Sequence, residues 1–228
     1  MVKVIRFFQL APRTWRIFML LRVLVFAALL APTLAFGQVI IGNYPPTNDT
    51  SNSAGLNDGR RKALSFTMPA GQNAVVGNVT LRLGNYDIND IVTLEIRNHT
   101  GSTTAPGTTS LVNFTSPTPG GTAVADYVFT PNNTFELLGG TSYWIYAYGA
   151  TTPSAYDWRG SSPAVTPTGI ASYASGSLFT TNGGSSWTNS TTLNTFQIEA
   201  ATPVPEPSVV LLVAATGAAV WLRVRRRV

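Results

Sequence analysis

The chain has 228 residues, a formal charge of +5 and no cysteine. The lack of cysteine excludes disulfides, thiol catalysis and thiolate metal sites. The basic excess belongs to the ends: the span from Gln38 to Pro207 holds six basic and ten acidic residues, a balance of −4 that argues against nucleic acid as a partner.

Residues 1–37 read as a secretory signal helix. A basic stretch through Arg22 precedes a short apolar core, Val23 to Leu30, and Ala35-Phe36-Gly37 then supplies small residues for a signal peptidase. The expected cut follows Gly37, with Ala35 as the alternative position. An uncleaved anchor helix is the competing reading; in either case the chain from residue 38 onward is exported.

Residues 38–202 read as an exported β domain. "NVTLRLGNY" places Val79, Leu81 and Leu83 on one face, with Thr80 and Arg82 on the other. "IVTLEIRNH" repeats the pattern with Val92, Leu94 and Ile96 against Thr93, Glu95 and Arg97. Such alternation marks half-buried strands of an antiparallel sheet. Further strands are expected at 38–43, 63–68, 110–114, 123–130, 142–148, 156–160, 172–180 and 195–200, separated by Gly, Pro, Asn and Ser clusters. About ten short strands imply an all-β fold, an antiparallel two-sheet sandwich of jelly-roll or immunoglobulin-like type.

The stretches "TMPAGQNAVVGNVTLRLGN" and "ELLGGTSYWIYAYG" resemble the choice-of-anchor extracytoplasmic β domain, type R. That resemblance implies a surface-attached domain with no assigned biochemical activity.

Within the domain, catalytic residues are not found. His99 is the single histidine, at a strand end entering a loop, and no Gly-x-Ser-x-Gly elbow accompanies it. It reads as a solvated loop residue. Glu95 alternates with apolar neighbours and reads as an outward strand residue, and no pair of carboxylates suggests glycoside hydrolysis. No cofactor is expected. Asp87, Asn89 and Asp90 are oxygen ligands suited to calcium, although Asx residues more often make turns. Trp144, Tyr146 and Tyr148 share one face of a strand, opposite Tyr143, Ile145 and Ala147. If open, that row is a platform for stacking sugars; the competing reading buries both faces.

Residues 203–207 form a Pro-rich linker ending in Pro205-Glu206-Pro207, and residues 208–228 a transmembrane helix with a basic tail. The uncharged run from Val209 to Leu222 would be roughly 21 Å long as a helix, short against a hydrocarbon core of about 30 Å. Arg223, Arg225, Arg226 and Arg227 crowd its end and should lie on the cytoplasmic side, with Trp221 at headgroup level.

This order of Pro-Glu-Pro, apolar span and arginines resembles the PEP-CTERM sorting tail of Gram-negative bacteria. The resemblance implies an exosortase-type processing enzyme as partner, export through the inner membrane, and transient or lasting membrane attachment before the cell surface or matrix. It also implies association with extracellular polysaccharide. The expected function is thus non-enzymatic, structural or adhesive. A carbohydrate-binding module is the alternative, and a glycan-active enzyme a weaker one.

Overall fold

A computed structural model describes residues 37–49, 52–150 and 156–201. Residues 1–36, all but the last of the expected signal helix, and residues 202–228, with the expected sorting motif Pro205-Glu206-Pro207 and the arginine-rich end, lie outside the described residues. Those described contain no helix. They form thirteen strands: β1 (Val39–Gly42), β2 (Asn52–Leu56), β3 (Arg61–Thr67), β4 (Ala74–Gly84), β5 (Val92–Asn98), β6 (Ser110–Thr115), β7 (Ala125–Pro131), β8 (Glu136–Leu137), β9 (Ser142–Gly149), β10 (Tyr156–Gly160), β11 (Ser172–Thr180), β12 (Thr188–Asn189) and β13 (Phe196–Ala200).

Every strand pairing is antiparallel. The sheet follows one path, β1-β13-β4-β7-β6-β5-β9-β3-β11-β12, with β10 joined to β4, β2 to β10 and β8 to β4. The path curls where β6 meets β7. There the register covers only Phe114↔Pro131 and Thr115↔Thr130, whereas β7 pairs with β4 from Ala125 to Phe129. Pro131 lacks an N–H, which suits a strand end where the ladder stops.

Curling brings the apolar faces of distant strands together. Val79, Leu81 and Leu83 of β4, Phe129 of β7 and Phe196 and Ile198 of β13 meet Leu94 and Ile96 of β5, Leu64 and Phe66 of β3 and Tyr143 and Ile145 of β9 in one core. The alternation seen in the sequence dictates these faces. A smaller cluster, Ala63, Trp144, Tyr146 and Leu178, packs on the opposite face of β3, β9 and β11.

The first and last strands are neighbours. Val39 pairs with Glu199, and Ala200 N–H donates to the Gln38 carbonyl at 2.8 Å. The free edge of β1 is covered in turn: Thr168 N–H donates to the Gly42 carbonyl at 2.8 Å and Ala171 N–H to that of Ile40 at 2.8 Å. Covering this edge removes a template for pairing with other chains.

Candidate functional site

The aromatic row lies on β9, between β5 and β3. Register places Trp144 between Arg97 and Ser65, Tyr146 between Glu95 and Ala63, and Tyr148 between Thr93 and Arg61. Trp144, Tyr146 and Tyr148 share a face, and Tyr143, Ile145 and Ala147 enter the main core on the other.

The face is roofed rather than open, which rules out the Trp144, Tyr146 and Tyr148 platform and agrees with the competing reading that buries both faces: Trp144 is 0 % and Tyr146 1 % exposed. His99 stacks on Trp144, with centroids 5.4 Å apart and planes within 4°. The Arg97 guanidinium lies over the Tyr146 ring, 3.7 Å from its centroid, and its Nε donates to Glu95 at 2.6 Å. Arg61 lies 4.4 Å over Tyr148 and donates to the Tyr146 hydroxyl at 3.1 Å and to Asp58 at 3.2 Å. Trp187 meets Tyr146 edge-on at 5.6 Å. The cause is local: the neighbours of these rings are long cations whose stems and guanidiniums lie flat on aromatic faces. Burial raises the Tyr146 phenol above its ordinary value. Tyr148 and Trp187 stay half-buried.

Trp187 reaches this face through the β11–β12 hairpin loop. Asn182 Oδ1 accepts the Ser186 N–H at 3.0 Å, its Nδ2 donates to the Ser186 hydroxyl at 2.8 Å, and Gly183 N–H donates to the Gly59 carbonyl at 2.9 Å. Gly183 and Gly184 adopt φ of 70° and 97°, a left-handed turn that favours glycine. Beneath the roof, a Cβ on Gly176 would come within 2.7 Å of the Trp144 ring, so only glycine lets β11 pass this close.

His99 lies in the loop after β5, as expected, but is not fully solvated. It is half-buried against Trp144, and its Nδ1 accepts the Gly101 N–H at 3.0 Å. Glu95 faces outward as expected but is only 6 % exposed, because Arg97 folds over it.

The Asp87, Asn89 and Asp90 cluster is built as a turn. Asp87 Oδ1 accepts the Asn89 N–H at 2.8 Å, and Asp90 Oδ2 accepts the Asp87 N–H at 2.9 Å. Among the described residues no three His, Cys, Asp or Glu side chains gather as a ligand set. The remaining carboxylates mostly serve arginines. Arg82 bridges Asp49 at 2.6 Å and Asp126 at 3.0 Å, and the Tyr44 hydroxyl donates to Asp126 at 2.6 Å. The Arg82 bond holds Asp49 below the usual carboxylate range, and the bond to Asp126 raises Tyr44.

Lys62 belongs to no sequence motif and is nevertheless buried. On β3 it faces inward with Leu64 and Phe66, is 1 % exposed, and donates from Nζ to the Ser190 hydroxyl and to the Thr192 carbonyl at 2.8 Å. Burial pushes it down to about 7. The signal was present in "KALSFTM", whose alternation of Leu64, Phe66 and Met68 extends back to Lys62. No family model matches the chain, and no curated protein matches it.

Proposed function

We propose that this is an exported, non-enzymatic structural or adhesive protein, held at the bacterial membrane by its C-terminal tail and passed to the cell surface or matrix. The observation that carries the reading is the tail: Pro205-Glu206-Pro207, an uncharged run to Leu222 and four arginines follow the last strand, which ends at Ala200. On this reading a signal peptidase removes residues 1–37, and the curled sheet is a two-sheet sandwich of jelly-roll or immunoglobulin-like type. An exosortase-type enzyme reads Pro205–Pro207, since a Pro-rich segment is extended and poor in backbone donors. The short apolar helix holds that segment at the outer membrane boundary while the arginines stay on the cytoplasmic side. A non-enzymatic role is favoured by the carboxylates: Asp49, Asp58, Glu95 and Asp126 bind arginines, and Asp87 and Asp90 shape their own turn.

Fractionation of a Gram-negative host with an intact exosortase-type system, with mass spectrometry of both mature ends, tests this. The mature chain should begin near Gln38 and lack Arg223–Arg227, and deletion of Ser208–Val228 should release the domain to periplasm or medium. Steady-state retention of the arginines would leave the tail a simple anchor. Recovery of Met1 on cytoplasmic protein would end the export reading.

A further inference from the structure

We propose that the partly exposed rim of the roofed aromatic face, centred on Trp187 and Arg97, binds a neutral polysaccharide. This deepens the adhesive reading and rests on it only for where the polymer is met; the site itself is testable on the chain in solution.

Tyr146 is the floor of the site. The Arg97 guanidinium rests on its ring face and Trp187 on its edge, so one short oligosaccharide can touch both. Trp187 sits on a loop whose neighbours Ser185, Ser186 and Thr188 are exposed, yet the loop is fixed by the Asn182 bonds and the Gly183–Gly59 bond. A ring held by the loop, partly in solvent and ringed by hydroxyls, can offer its apolar surface to the C–H face of a pyranose with little ordering cost.

Arg97 supplies the polar half. Its Nε is bonded to Glu95, and among the described residues its two Nη groups make no hydrogen bond. They are donors held in a plane by stacking and aimed by the ion pair.

Charge selects the ligand class. Arg97 is neutralised by Glu95 and Arg61 by Asp58. The span from Gln38 to Pro207 carries six basic and ten acidic residues. An anionic polymer would meet paired guanidiniums in a negative field, whereas a neutral polymer meets no penalty. A protein partner fits less well, because a standard interface buries about 800 Å² per partner around a core depleted of charged residues. Here two half-buried rings are surrounded by Ser, Thr and Arg.

The test is co-sedimentation of the full chain, kept soluble in detergent, with cellulose, curdlan, amylose and alginate. The wild type should pellet with at least one of the three neutral polymers and not with alginate. Trp187→Ala should weaken that binding roughly tenfold or more, and Trp187→Phe should restore part of it. A hexasaccharide of the retained polymer should shift tryptophan emission in the wild type and not in Trp187→Phe while that variant still pellets with the polymer, a combination that loss of fold would not give. Binding to none of the neutral polymers, preference for alginate, or undiminished binding by Trp187→Ala would each overturn the proposal. None of these results bears on whether the tail is processed, which the mature C-terminus reports separately.

Discussion

Lys62 carries the clearest consequence of a single residue. It is inside the fold, its two hydrogen bonds go to uncharged groups, and burial lowers it to about 7 from an ordinary 10.5. Folding therefore favours its neutral form. Between about 7 and 10.5 the unfolded chain holds a proton on Lys62 that the folded chain has lost, so stability rises with pH across that window. The slope from this one group reaches up to about 1.4 kcal/mol per pH unit, and below the window both states are protonated and the contribution is flat. Lys62→Met should flatten the rise while adding stability near neutrality, as replacement of a buried charge often does. Urea melts across the window would show it; parallel slopes in variant and wild type would place the titration elsewhere. Reading strands from sequence skipped this residue because lysine is so rarely buried that its charge outweighed its inward register.

Strand β9 shows what alternation reveals and what it hides. The faces of "SYWIYAYG" were legible, because period 2 is geometry and needs no partner. The fate of the outer face was not. It depends on Arg61, Arg97, His99 and Trp187, which the fold brings from three separate places, and no local window contains them. The same cause hid β2: "NSAGL" lacks apolar alternation and becomes a strand because β10 offers it a ladder from Leu56↔Tyr156 to Asn52↔Gly160. Strands β8 and β12, of two residues each, have no period to read. By contrast β4 and β5 alternate strongly enough that their core faces followed from sequence alone. The roofed state of β9 makes Trp144 a packing residue. Trp144→Ala should cost about 3–5 kcal/mol, the range for a large aromatic removed from a core. A loss below about 1 kcal/mol in a denaturant melt would mean that the ring is open to solvent after all.

At the scale of the whole molecule, strand directions set two ends. Ala200 pairs with Val76 near the start of β4, and Gly84 closes that strand roughly 26 Å away at about 3.3 Å per residue. The Trp187 loop lies toward the Gly84 end: Gly183 bonds to Gly59, just after β2, and Leu56 of β2 pairs with Tyr156, beside the Asp157↔Gly84 pair. A tail leaving at Ala200 and a polymer held at Trp187 would therefore pull from opposite ends.

The neighbouring positions of β1 and β13 then acquire a mechanical meaning. Tension between Gly59, which holds the Trp187 loop, and the C-terminus passes through the ladder of β13, which lies between β1 and β4. Those ladder bonds are loaded in shear and must fail together. Tension between Gln38 and Ala200 acts on two adjacent points instead and peels β1 from β13 one pair at a time. Single-molecule stretching with handles at the two alternative pairs of positions should give a much higher rupture force for the first geometry, and equal forces would refute it. The same chain would thus be stiff along β13 and weak across the β1–β13 edge, a directional strength set by strand order rather than by any added contact.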